Sequence, residues 1–264
     1  MDQASVTRAE AAPGTVQSVS RALHLLEYVA QSPDGVSAKQ VAEHLGVALP
    51  SAYHLLRTLI DGGYLVHLTD DHAYVLGYQV RVLEHGLTRQ LQTSGTVAAS
   101  IRSLQLSADA AAYYAIYRDV EIVLAHVADS ERRPRVRVLG IGFHEAAHAT
   151  AFGKVMLAAM PSEQRRLYLA RVGLRRWTSR TVTDEPGLET QLAQVRDSGV
   201  ALEIGEFQSG LSCLAAPVRS RAGGVVGSVA VSLESVEFAA RRRGLERAVR
   251  QGAMTVTRAL NGGN

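Results

Sequence analysis

A single cysteine, Cys213, stands in 264 residues, so no intrachain disulfide can form and the fold must rest on packing. No apolar run approaches the roughly 20 residues that span a bilayer, and no membrane partner is expected. The opening MDQASVTRAEAAPGT carries acids and no apolar core, so it reads as a flexible arm over residues 1–15 rather than a signal peptide. Internal repeats are missing, as are a P-loop, a dinucleotide fingerprint and a G-x-S-x-G elbow. With them go the commonest enzyme signatures, and no cofactor is expected. What remains, 47% apolar and 20% charged, is a soluble globular protein with a cytoplasmic location as the simplest reading.

Positive charge is scarce where it would be most informative. Residues 1–94 carry six Lys and Arg against nine Asp and Glu, a net −3, while residues 95–264 carry 22 against 16, a net +6. The length suits two ordinary domains. Function must therefore be read from pattern, not from charge.

Residues 18–31 place Val19, Ala22, Leu23, Leu26 and Val29 at helical spacing, stopped by Pro33-Asp34-Gly35. Ser37-Ala38-Lys39-Gln40 has the form of a capping box. It opens a short helix over 38–45 that Gly46 ends. Pro50 suits the first turn of a third helix, 50–61, with Ala52, Leu55, Leu56 and Leu59 inward. Residues 64–68 and 73–76 alternate around Thr69-Asp70-Asp71-His72, predicting a hairpin. A helix over 77–92 follows. These elements imply a first domain over 16–76, a linker helix over 77–94 and a second domain over 95–264.

The second domain reads as a helix over 97–106, then strands at 110–117, 121–127 and 135–139. Helices are expected from Thr150 to before Pro161, at 162–171 and at 185–197. Strands at 200–206, 212–218 and 225–233 and a final helix over 238–260 complete an α+β chain with one main sheet.

Residues 38–59 meet the steric demand of a helix-turn-helix. Ala42 is small where the second helix crosses it, Gly46 makes the turn, and Val41, Leu45, Val47, Ala52 and Leu55 supply a core. Two ordinary packed helices would share the pattern, but the hairpin directly after it favours a winged helix-turn-helix. On that reading the helix opening at Pro50 enters the major groove of double-stranded DNA. Ser51, Tyr53 and His54 at its start and Arg57 in its middle then reach bases or phosphates. Ser37 and Lys39 are candidate phosphate contacts, and His67 and His72 candidate wing contacts. So few cations imply weak binding by one copy and a symmetric, palindromic operator for two or more.

Three stretches carry a resemblance: SVSRALHLLEYVAQSPDGVSAKQVAEHLGVALPSAYHLLRTLIDGGYL, then His148-Ala149-Thr150-Ala151-Phe152-Gly153-Lys154, then Glu206 through Gly210 to Cys213-Leu214-Ala215-Ala216-Pro217-Val218. Over residues 16–260 the chain resembles the IclR family of bacterial transcriptional regulators. The resemblance implies a winged helix-turn-helix, a linker helix and a GAF-like α/β effector-binding domain, in homodimers or dimers of dimers. It implies a small-molecule effector, an organic or aromatic acid. Ala151 and Phe152 would meet it from a helix start whose free N–H groups suit a carboxylate, and Glu203, Leu211 and Cys213 from strands. Family members usually have arginine where His54 stands and often a polar residue where Pro50 stands. Phe152 is bulky for its position, which points to a smaller or flatter ligand.

Several residues have plainer readings. Cys213 on an apolar strand can be core, Lys154 can brace its helix, and Glu203 and Glu206 would be solvated on an edge strand. Arg135 and Arg137 form a solvated face or attract an anionic effector. His144-Glu145-Ala146-Ala147-His148 spells the HExxH zinc-protease signature, but preceding glycines place it in a loop, with no third ligand at a recognised spacing. No metal site is therefore expected. A Cys213–His148 hydrolytic pair lacks an activating partner. A stand-alone ligand-binding module would leave residues 37–76 without a role.

Overall fold

The computed structural model describes residues 15–91 and 93–262, so the arm expected over 1–15 lies, up to residue 14, outside the described residues. The chain divides into two compact units between Leu87 and Thr88.

The first unit contains α1 (Gln17–Ala30), α2 (Ala38–Leu45), α3 (Leu49–Asp61) and a hairpin of β1 (Leu65–Leu68) and β2 (Ala73–Leu76). The unit division falls inside α4 (Tyr78–Gln90). Leu25, Val29, Val41, Ala42, Ala52, Leu56, Leu59 and Leu65 form its core. Ser37 closes a capping box on α2: Gln40 N–H donates to Ser37 Oγ at 3.3 Å, and Ser37 N–H donates to Gln40 Oε1 at 2.8 Å. Such a cap stabilises by about 1 kcal/mol. Gly46 ends α2 at φ +61°, a conformation that costs an L residue about 1–2 kcal/mol. Helix α3 starts at Leu49, one residue before the expected Pro50, because the first turn tolerates proline. Val36 exchanges backbone hydrogen bonds with Tyr74 (3.1 and 2.8 Å), adding a short bridge to the hairpin that local pattern does not announce.

The second unit runs α5 (Gly95–Ala108), β3 (Ala111–Arg118), β4 (Glu121–Ala128), a 3₁₀ turn (Ala147–Ala149), α6 (Ala151–Ala159), α7 (Ser162–Val172), α8 (Glu185–Ser198), β5 (Ala201–Ile204), β6 (Leu211–Arg219), β7 (Val225–Glu234) and α9 (Ser235–Asn261). Its five strands pair antiparallel throughout in the order β4-β3-β7-β6-β5. Strand alternation divides the core in two. Ala112, Leu214, Ala216, Val229 and Val231 face α5 and α9. Tyr113, Cys213, Ala215 and Ala230 face α6, α8 and the segment 129–150.

The strand expected at 135–139 is absent. Val136 and Leu139 are the residues buried there, a spacing of three where a strand would give two. Pro134 withholds an N–H, Arg135 N–H goes to Asp129 Oδ2, and Leu139 N–H returns to Val136 O. The segment is a set of turns that plugs the core from above.

Candidate DNA-contact helix and effector site

Helix α3 is amphipathic about a sharp divide. Ala52, Leu56 and Leu59 are buried, while Pro50, Ser51, Tyr53, His54 and Arg57 are exposed. The leading edge on which the DNA reading depends is therefore open. Ala48 precedes the helix and no side chain caps it, so its first N–H groups remain available to a phosphate. Arg57 is 85% exposed and only loosely paired with Asp61, at 4.0 Å. Lys39 is as free, 3.9 Å from Glu43. Ser37 differs: its hydroxyl is engaged by Gln40 on both sides. On the wing, His67 stacks on Tyr74 at 4.5 Å, whereas His72 is exposed at the hairpin tip with φ +50°.

In the second unit, register lines up a polar row on one sheet face. Glu203 of β5 lies opposite Cys213 of β6, which lies opposite Ser232 of β7. Ser232 Oγ is 3.0 Å from Tyr113 Oη, and Val136 N–H donates to the same hydroxyl at 3.3 Å. Above the row, α6 begins. Thr150 caps it, accepting from Gly153 N–H at 3.3 Å and donating to Ala146 O at 3.0 Å. The N–H groups of Ala151 and Phe152 precede the first intrahelical donor, Lys154 N–H, which goes to Thr150 O at 3.0 Å. Both residues are buried, and Ser228 Oγ donates to Phe152 O at 3.0 Å. Gly153 has no room for a side chain, since a Cβ there would collide with the backbone of Ala147. Leu211 packs against the same core from the start of β6.

The acids predicted at an edge strand are not solvated. Glu203 is fully buried and Glu206 nearly so. Lys154, also buried, donates to Glu206 Oε1. Glu203 Oε1 accepts from Glu206 N–H at 2.5 Å and Phe207 N–H at 3.2 Å. Burial raises the Glu203 carboxyl above its ordinary value, and burial beside Glu203 raises the Cys213 thiol well above its own. Burial lowers Lys154, with the Glu206 carboxylate opposing. Lys154, Glu206, Ser232, Tyr113 and Gln191 escape sequence reasoning as members of one cluster. For Ser232 and Tyr113 the signal was strand parity with Cys213.

His144 and His148 are not on one helical face. His144 bonds Gly142 O across a turn at 3.0 Å, while buried His148 bonds Arg175 O at 2.9 Å. A carbonyl can only accept, so His148 Nε2 carries the proton. Two surface hollows, of 610 and 360 Å³, lie elsewhere, against α9 and between α7 and α8.

Comparison with known proteins bears on both halves. The IclR helix-turn-helix domain matches residues 18–68, and the C-terminal domain of the bacterial transcriptional regulator IclR matches 89–258. The transcriptional repressor IclR of Escherichia coli K12 is 27% identical over 207 residues, covering 78% of this chain and 75% of its own. The p-hydroxybenzoate hydroxylase transcriptional activator of Acinetobacter baylyi is 29% identical over 213 residues, 79% and 78% of the two chains. Among solved structures, an IclR homologue from Microbacterium hydrocarbonoxydans complexed with 4-hydroxybenzoate has the same fold, with a TM-score of 0.69 at 19% identity over 93% of this chain and 100% of its own. The Escherichia coli and Acinetobacter relatives are transcriptional regulators. The chain belongs to the IclR family of bacterial transcriptional regulators.

Proposed function

We propose that this regulator binds a palindromic operator as a dimer or dimer of dimers and releases or grips it according to a small carboxylic acid held in the second unit. DNA contact falls to Pro50, Ser51, Tyr53, His54 and Arg57 of α3, with Lys39 and Ser37 on α2 and His67 and His72 on the wing as flanking contacts. The exposed, uncapped start of α3 supports this most directly. The effector meets Ala151 and Phe152 at the start of α6 and Glu203, Leu211 and Cys213 on the strands.

The observation that carries the effector reading is the Glu203–Cys213–Ser232 row beneath the capped start of α6. Helix N–H groups suit a carboxylate. Phe143, Trp177 and Phe207 cluster against the same core, with rings 5.0–5.5 Å apart, which favours a flat, aromatic acid such as 4-hydroxybenzoate. Helix α4 is the covalent path from one unit to the other, so effector-dependent packing between subunits would reach the wings through it.

A gel-shift with DNA upstream of the protein's own gene, with and without 4-hydroxybenzoate and other organic acids, tests the reading. A shift that one acid alters is expected. No shift with any segment of that DNA would remove the operator assignment.

A further inference from the structure

Glu203 and Glu206 share a buried compartment with one cation. Lys154 donates to Glu206 Oε1, and Gln191 Nε2 lies 3.4 Å from the same oxygen. The groups around Glu203 can be named element by element. Helix α6 presents Lys154, the turn after β5 Glu206, and β6 Cys213. Strand β3 presents Tyr113, whose hydroxyl is held by Ser232 of β7. The 3₁₀ turn presents His148, committed to Arg175 O, and α8 presents the neutral Gln191. Among the described residues Lys154 is thus the one ammonium facing two carboxyls, and Glu206 holds it.

Glu203 is left without a counter-charge. Its Oε1 takes two backbone N–H groups, but its Oε2 is buried and finds no partner among the described residues. An uncompensated carboxylate in so buried a place takes up a proton. That proton belongs on Oε2, because Oε1 already accepts twice.

We propose that Glu203 is held as a neutral carboxylic acid and that its Oε2–H is the hydrogen-bond donor that receives the effector's carboxylate. This rests on the effector-site reading above. It answers the objection that an anion-binding site should not contain two acids: one is neutralised by Lys154, and the other carries a proton. The displaced balance is simple, since the proton stays on Glu203 and no bond is made or broken. Burial raises both Glu203 and Cys213, and at Glu203 it outweighs the thiol and the two backbone N–H groups, which pull the other way.

The proton can be read without any effector. Infrared difference spectra of the full chain at pH 7, wild type against Glu203→Gln, should show the C=O stretch of a protonated carboxyl that moves in deuterated water and is lost in the variant. Lys154→Met combined with Glu206→Leu, which removes the neighbouring ion pair whole, should leave that band in place. Glutamine keeps the carbonyl that accepts from Glu206 and Phe207, so the fold is retained. Should it not be, wild type labelled at glutamate carboxyl carbons gives the second measurement: one resonance at the protonated position at pH 7 is expected. Absence of the band or resonance in the wild type, or its persistence in Glu203→Gln, overturns the proposal. With benzoate as probe, affinity should hold level up to the Glu203 pKa and then fall about tenfold per pH unit. Benzoate binding that ignores pH overturns the donor role. If no carboxylate binds while the infrared band is intact, the effector-site reading fails and the Glu203 proton stands.

Discussion

Lys154 and Glu206 form an ion pair whose side chains are only 1% and 7% exposed. The pair ties α6 to the turn that follows β5, across 52 residues of chain. Desolvation offsets much of its attraction, but losing one partner strands the other charge. Lys154→Met should therefore cost about 3–5 kcal/mol in urea unfolding. Lys154→Met combined with Glu206→Leu should recover most of that loss. A single variant that costs under about 1 kcal/mol would mean that solvent reaches Glu206 after all.

Gly153 sits where α6 meets the 3₁₀ turn, and a methyl there would strike the Ala147 backbone. Gly153→Ala should lower stability by about 1–3 kcal/mol through overpacking. Gly244 offers the matched control, since it lies within α9 with open space around its Cβ position. Gly244→Ala should raise stability by about 0.5–1 kcal/mol. Thermal unfolding of the two variants should move in opposite directions, and parallel shifts would rule out the steric account.

The raised Glu203 carboxyl has a signed consequence for stability. Above the ordinary glutamate value, near pH 4.3, the unfolded chain has lost this proton while the folded chain keeps it. The native state then binds more protons, so stability falls as pH rises, by up to about 1.4 kcal/mol per pH unit within that window. Glu203→Gln removes this slope. Relative to wild type, the variant should gain stability steadily between pH 4 and the folded pKa. Parallel stability curves for the two proteins across that range would show Glu203 to be ionised in the fold.

Local chemistry was legible in the sequence, and long-range pairing was not. The start of α2 is written in Ser37 and Gln40 because a capping box needs only four consecutive residues. Gly46 is equally local. The turns at 135–139 imitate a strand because arginine and valine alternate, yet nothing nearby reveals that no neighbouring strand pairs with them. Likewise Glu203 could be placed on an edge strand but not declared buried. Its exposure is decided by α6 and α8, which fold over the face that the edge position seemed to leave open. The Cys213–Ser232 register depends on the turn between β6 and β7, and local alternation fixes only which face each residue takes.

Arg57 offers the cleanest separation of DNA contact from folding. Its side chain is 85% exposed and its nearest acid, Asp61, is 4.0 Å away in a pair that contributes little. Arg57→Ala should leave the unfolding transition within about 0.5 kcal/mol of wild type. It should weaken binding to an operator duplex, followed by fluorescence anisotropy at several salt concentrations. If Arg57 neutralises a phosphate, the slope of log affinity against log salt should shrink by about one, equally on specific and unrelated DNA. If it reads a base, the slope should hold while discrimination falls by about 1–3 kcal/mol at one position. Affinity unchanged on every duplex would take Arg57 off the contact surface and shift the burden to Ser51, Tyr53 and His54 at the uncapped start of α3.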